Sequence, residues 1–383
     1  MELQVVFKLL FIVLVIMAAF LPLITWVERK QSAVMQDRIG ANRAHVLGIT
    51  ALGLLHPAAD VLKLLTKEDV VPAGANRWIH QLAPVIALVP AIITLAVIPY
   101  GGAYQYDGWV LNLVVADIDW GMLYVFAVGS IATYGAVMAG WASNSNWGLL
   151  GAMRASAQMI SYEVTMGLSL VGLFMVFDSL RLTDIAQAQD ATFRVFGFLE
   201  HVFGVGVPAA LGWLTLPNWG LFLQPLGFVL FLTCIMAENK RPPFDAPEGE
   251  SELVAGYHME YSGMRFGLFY TAEFLEVPVI GMIVTTLFLG GWSIPYLSQA
   301  EIIAGLSPAL GVTFATVLCM ALHVVTFLLK VIFMIWLQMA LRWTLPRFRY
   351  DQVMDLCWKM ILPISIANAF VTGGVILFLE RGA

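Results

Sequence analysis

Long apolar runs alternate with short polar ones along the chain, and the apolar runs are too long for most helices of a soluble core. A helix crosses the hydrocarbon layer of a membrane in about 20 residues. Eight segments reach that length, roughly 5–27, 82–100, 120–141, 157–177, 217–237, 266–289, 312–337 and 359–379. Proline or glycine interrupts several of them, as membrane helices tolerate. The stretch 202–216 is apolar but short, so it is expected to lie in the interface or to re-enter; if it crosses, the spans number nine. The pattern predicts an all-α polytopic membrane protein, one integral domain over 1–383 with about eight transmembrane helices.

Two polar stretches stand out, 28–81 and 238–265. Within the first, Val46–Leu65 mixes apolar residues with His56, Asp60 and Lys63. It reads as an amphipathic helix in the interface, broken at Pro57. The first apolar run is too long for a signal peptide and is followed by Trp26-Val27-Glu28-Arg29-Lys30 rather than a small-residue cleavage site. A retained first helix is expected.

Composition supports the membrane reading. Of the 383 residues, 60% are hydrophobic and only 12% charged, and mean hydropathy is +0.82. A soluble domain carries about 25% charged residues. With eight spans, 15 of the 20 Lys and Arg fall in the odd-numbered loops, from Arg29 and Lys30 to Arg347, Arg349 and Lys359. The positive-inside bias makes those loops cytoplasmic and both termini periplasmic. No basic tail or Lys/Arg run suggests a nucleic-acid partner. Cys234, Cys319 and Cys357 form no CxxC pair and are read as apolar packing.

The chemistry concentrates in carboxylates. Glu238, Asp245, Glu248, Glu250, Glu252 and Glu260 crowd one loop with Lys240 and Arg241. Beside a low-dielectric phase, crowded acids repel one another and hold protons nearer neutral pH; the bland alternative is a solvated acidic loop. Glu163, Glu273 and Glu276 lie inside apolar runs, where a carboxylate is expensive and faces protein or a water path. They suit a proton relay or structural pairing; Arg154 is one conceivable partner of Glu163, although it sits off that helical face. Lys330, also inside a run, would pair with an acid of the sixth span or sit in a partner interface. A lone His323 reads as a hydrogen-bonded core residue rather than a haem ligand, and no metal signature, Walker A sequence or GxGxxG occurs.

Four motifs in order carry a resemblance: Glu28-Arg29-Lys30 with Arg38-Ile39-Gly40; Ala59-Asp60-Val61-Leu62-Lys63-Leu64; Met153-Arg154-Ala155 leading to Ser161-Tyr162-Glu163-Val164; and Arg241-Pro242-Pro243-Phe244-Asp245 through Glu248-Gly249-Glu250-Ser251-Glu252-Leu253. Over about residues 5–380 the chain resembles the quinone-site membrane subunits of respiratory complex I (NADH:quinone oxidoreductase), the family of mitochondrial NADH dehydrogenase subunit one and its bacterial counterparts. It departs at Gly40-Ala41-Asn42, Lys240-Arg241 and Ala246, where the family often has Gly-Pro-Asn, Asn-Arg and Leu.

The resemblance implies a narrow chamber that quinone enters from the bilayer. Arg29, Arg38, Asp60, Lys63, Phe244 and Asp245 would line or shape it. Glu248, Glu250 and Glu252 would form the adjoining acidic cluster, and Glu163, Glu238, Glu260, Glu273 and Glu276 a proton path inward, with pairing to Arg241 as the alternative for Glu238. The chain would bind no cofactor alone and share its quinone substrate with neighbours. NADH, FMN and iron–sulfur clusters would belong to other subunits. Partners would be the quinone-site soluble subunits of the peripheral arm, the small and antiporter-like subunits of the membrane arm, and the lipid of a bacterial inner membrane. The competing readings are the related subunit of a hydrogenase or formate hydrogenlyase, a stand-alone ion transporter, and a structural anchor.

Overall fold

A computed structural model describes residues 6, 8–10, 20–106, 109–194 and 215–382. Most of the expected first span and nearly all of 202–216 lie outside the described residues. Among the described residues, six helices are long and apolar enough to cross a membrane.

α1 (Leu21–Met35) is the described end of the first apolar run. The amphipathic helix expected over 46–65 is shorter: α2 is His56–Thr66. Pro57 starts it rather than breaking it, because a first-turn residue needs no N–H. An Arg29–Asp60 ion pair ties α2 to α1.

α3 (Arg77–Thr94) begins five residues before the expected 82, where the Asn76 side chain accepts from Ile79 N, and tolerates Pro84 and Pro90 inside it. An antiparallel hairpin, β1 (Ala103–Tyr106) and β2 (Trp109–Asn112), pairs Ala103 with Asn112. α4 (Gly121–Ala142) and α5 (Asn146–Phe177) are joined by a three-residue turn. α5 starts eleven residues before the expected 157. Its first turns carry Gly148, Gly151, Ala152 and Ala155, all buried against protein rather than lipid. α6 (Leu182–Ala188) and the short pair β3 (Thr192–Arg194) and β4 (Thr215–Pro217) close the same end as the first hairpin.

The expected span 217–237 is broken into α7 (Gly220–Leu223) and α8 (Pro225–Glu238). α9 (Glu250–Leu253) sits in the acid-rich loop. α10 (Gly263–Phe288) is the central helix, with every residue from Val277 to Phe288 buried. α11 (Gln299–Leu310) leads to α12 (Val312–Thr344), which continues seven residues past the expected end because its last turns meet protein: Gln338 Nε2 donates to the Val277 carbonyl at 3.2 Å. α13 (Tyr350–Asp355) runs through a π-helical turn, Leu356–Ile361, into α14 (Leu362–Gly382).

One apolar core joins α10 to α3, α4, α5, α8 and α12, with Leu170, Phe231, Leu275, Phe288 and Phe327 fully buried. Lys330 meets no acid of the sixth span. Its Nζ donates to the carbonyls of Leu289, Gly291 and Ser293 at 2.7, 3.0 and 2.7 Å, capping the C-terminal end of α10, with the ammonium 4.8 Å from the Trp219 ring. His323 Nδ1 is 2.6 Å from the Tyr104 hydroxyl, and all three cysteines are buried and free.

Candidate functional site

The acid-rich end of the bundle holds two adjoining cavities. The larger, about 410 Å³, is lined by Glu28, Arg29, Lys240, Arg241, Asp245, Glu248, His258, Tyr270, Glu273, Arg342 and Arg347, among others. The smaller, about 90 Å³, lies deeper and is walled by Met122, Val125, Phe126, Met166, Ile235, Ile280 and Ile283, with Glu163, Glu238 and Glu276 in its lining. Two elements serve both. The chain at the end of α8 gives Glu238 to the small cavity and Lys240 and Arg241 to the large one. One turn of α10 separates Glu273 in the large cavity from Glu276 in the small one.

Local sequence explains the placement. α8 ends at Glu238, and Lys240 adopts a left-handed backbone, φ 52°, that turns the chain back. Gly151 of α5 packs directly on the Gly256-Tyr257 backbone; a Cβ there would meet Gly256 Cα and Tyr257 N at 2.7 Å. That close approach seats Tyr257, whose hydroxyl bridges Glu248 Oε1 at 3.3 Å and Glu273 Oε1 at 3.0 Å. His258 Nδ1 lies 4.0 Å from Glu248 Oε1. Glu248, His258 and Glu273 bring three ligating atoms within 4.8 Å of one another, a spacing that a divalent cation could close upon.

Charges in the large cavity are paired unevenly. Glu28 is clamped by Arg241, 3.0 Å away, and by Arg342. The Arg241 guanidinium also lies 4.2 Å from the Phe274 ring centroid. Asp245 pairs with Arg347 at 2.9 Å. Burial, and then the neighbouring Glu273, push the Glu248 carboxyl well above its ordinary value. Burial alone would lower the Lys240 ammonium, but Glu276, Glu273, Glu238 and Glu248 outweigh it and raise it. Burial lowers the His258 imidazole and favours its neutral form. In the small cavity, Glu163 Oε1, Glu238 Oε2 and Glu276 Oε2 are buried with no protein hydrogen-bond partner among the described residues.

The structure thus brings Arg29, Asp245, Glu248 and Glu273 together around one cavity and Glu163, Glu238 and Glu276 around the other. A further open pocket of about 410 Å³ takes Arg29 and Arg38 with Arg43 and His56. Asp60 holds Arg29 from outside. Other residues fall elsewhere. Phe244 lies behind the large cavity, packed against Tyr162 and Phe348 at 5.7 and 5.6 Å between ring centroids. Lys63 is exposed on α2, and Glu260 lines neither cavity. Glu252 is turned outward and pairs with Arg154 at 2.5 Å, so Arg154 is not the partner of Glu163. Nor does Glu238 pair with Arg241, which is taken by Glu28. The side chain of Glu250 lies outside the described residues. Sequence reasoning passed over Glu28, Tyr257, His258, Arg342 and Arg347. Only Glu28 carried a signal, a carboxylate at the end of an apolar run and inside a quoted motif; its partner Arg241 is 213 residues away.

A family model described as NADH dehydrogenase matches residues 7–373. The chain belongs to that family. It is 44% identical to the H 1 subunit of NADH-quinone oxidoreductase from Geobacter metallireducens, over 96% of this chain and 94% of that protein. It is also 44% identical to the H 2 subunit of the same enzyme from Geobacter sulfurreducens, over 97% and 95%. To the corresponding NADH-quinone oxidoreductase subunit of Thermomicrobium roseum it is 42% identical, over 96% and 95%. The family and the apolar helices support a bacterial inner-membrane protein.

Proposed function

We propose that the chain is the quinone-chamber membrane subunit of a proton-translocating NADH:quinone oxidoreductase, and that its buried carboxylates couple quinone reduction to proton movement. One observation carries this reading: the two cavities share α10 and the chain at the end of α8, so the groups assigned here to quinone and those suited to protons lie within about one helical turn of each other. In this reading the chain is oriented with the acid-rich end cytoplasmic and both termini periplasmic. It meets the quinone-site soluble subunits at that end and the other membrane-arm subunits through its helices. NADH, FMN and iron–sulfur clusters reside in the partners.

Quinone becomes quinol by taking up two electrons and two protons. Electrons come from an iron–sulfur cluster of a neighbouring subunit, and the negative charge that accompanies them is felt by Lys240, Arg241 and Arg347. A cation drawn toward that charge leaves its carboxylates less compensated, and their proton affinity rises. Glu248 already holds its proton tightly, and Tyr257 links it to Glu273, one turn from the small cavity. Glu276, Glu238 and Glu163 then offer successive sites for a proton in a pocket with apolar walls. Crowded like charges suit this task because only some of them can be ionised together.

The test is purification of the intact complex through a tag on this chain, assayed for inhibitor-sensitive NADH:quinone reductase activity. A flavin and iron–sulfur assembly is expected, in which Asp245→Asn and Glu248→Gln lower both reductase activity and pumping while assembly survives. Normal coupled activity in both variants contradicts the assignment. A hydrogenase module in the purified assembly would keep the fold and replace the reaction, and a cofactor-free chain would favour a transporter.

A further inference from the structure

We infer that Gln158 is a positioning residue that keeps the two cavities in register; the inference rests on the reading of them as quinone and proton sites. Gln158 is fully buried on α5. Its Nε2 donates to the Ala237 carbonyl at 2.7 Å and to the Phe244 carbonyl at 2.9 Å. Both partners are acceptors, so the amide nitrogen and not the oxygen must face them. An amide has two N–H bonds, and here both are committed.

The two carbonyls bracket a short segment of chain. Between them lie Glu238, which lines the small cavity, and Lys240 and Arg241, which line the large one. Gln158 therefore fastens both ends of the segment that links the cavities to one point on a long helix. The same helix carries Glu163, five residues on, in the wall of the small cavity. Tyr162, between them, donates its hydroxyl to the Val353 carbonyl at 2.9 Å and packs on Phe244. The Phe348 amide in turn donates to the Pro243 carbonyl at 3.1 Å. α5 is thus anchored both to the segment and to the chain around α13.

The consequence is mechanical. When charge in the large cavity draws Lys240 or Arg241, the segment can shift without carrying Glu238 away from Glu163 only if its ends stay tied to α5. Without the tie, Lys240 and Arg241 still respond, but Glu238 no longer holds its place opposite Glu163. Proton transfer falls steeply with misplacement, on the order of a hundredfold for about 1 Å. Electron transfer to quinone does not depend on that spacing, but the loosened segment also carries Lys240 and Arg241 of the large cavity, so quinone binding weakens.

The experiment uses the whole complex in proteoliposomes with Gln158→Leu, Gln158→Asn and Gln158→Glu. It reads protons moved per electron, the quinone KM and the pH profile of the ratio. Gln158→Leu, close in size and without donors, is expected to lower the ratio by about half or more and to raise the quinone KM up to about tenfold. Gln158→Glu has no donor when ionised and one O–H when protonated, so its ratio recovers as pH falls, whereas that of Gln158→Leu does not. A wild-type ratio and KM in Gln158→Leu overturns the inference. So does a fall of reductase and pumping in strict proportion with no change in KM, which is what a space-filling role gives. If Gln158→Leu fails to assemble, Gln158→Asn, too short to reach both carbonyls, decides by the same ratio. Normal coupling in Glu238→Gln would defeat the proton reading itself; normal coupling confined to the Gln158 variants defeats only this inference.

Discussion

The two ends of the bundle treat buried charge in opposite ways. At the end that carries α6 and the two hairpins, Lys330 and Gln189 meet partners fixed by the backbone. Lys330 is saturated by three carbonyls. Gln189 donates to the Ile185 and Thr286 carbonyls and accepts from Gly220 and Gly290. At the surface of the same end, Arg181 is surrounded by the side chains of Asp117, Asp119 and Asp184. At the acid-rich end, carboxylates face carboxylates across cavities, and several of their oxygens have no protein partner among the described residues. A saturated polar group stabilises one conformation. A crowded and incompletely paired group costs stability, and it can change its protonation state when the surroundings change. The first arrangement closes the bundle; the second is suited to moving protons.

Substitutions sharpen the contrast. The largest effect on stability is expected at the acid-rich end, where Arg241→Ala would leave Glu28 with Arg342 alone. Removing one member of a buried ion pair costs about 3–5 kcal/mol. Assembled complex on native gels should fall severely, and normal assembly would show that Arg342 suffices. At the other end, Lys330→Met leaves three carbonyls at the end of α10 without their donor. A cost of about 1–3 kcal/mol is expected, read as a lower thermal midpoint of the purified complex. Protons moved per electron should be unchanged in what remains assembled. A lowered ratio would mean that the saturated end also takes part in coupling.

A smaller effect concerns pH. The folded state raises the Glu248 carboxyl, so it binds that proton more tightly than the unfolded chain does. The contribution to stability is fully present below the ordinary glutamate range and is lost as pH rises through the raised value. Thermal midpoints should therefore decline toward alkaline pH, and Glu248→Gln should flatten that slope. An unchanged slope would place the titration elsewhere.

Much of this was legible in the sequence, for physical reasons that differ by region. Apolar runs such as Gly121–Ala142 and Gly263–Phe288 are readable because lipid and a dry core demand the same residues. Boundaries failed where protein rather than lipid receives the helix end. The small residues of Asn146–Ser156 and the polar end of α12 look like loop to a hydropathy window, yet they are helical because their partners satisfy them. In α8 the error runs the other way, since Pro225 cuts an apolar run that composition alone joins to the residues before it.

The candidate site shows the same division. Carboxylates inside apolar runs, Glu163, Glu273 and Glu276, announce themselves by their cost. Their grouping does not: Glu273 and Glu276 are three residues apart and line different cavities. Glu252 belongs to the same acidic motif as Glu248 but faces outward to Arg154. The Glu28 clamp depends on arginines from two distant segments, which no local pattern brings together.

The central claim is that the small carboxylate cavity couples quinone reduction to proton movement, and the most direct test is the number of protons moved per electron in Glu238→Gln proteoliposomes. The side chain keeps its size and loses its exchangeable charge. The account predicts an assembled complex whose ratio falls to half or less, with quinone reduction persisting when an uncoupler is present, as removal of a proton-transfer group of about 10²-fold benefit requires. A wild-type ratio at a wild-type rate would contradict it and leave the cavity a packing feature of the bundle.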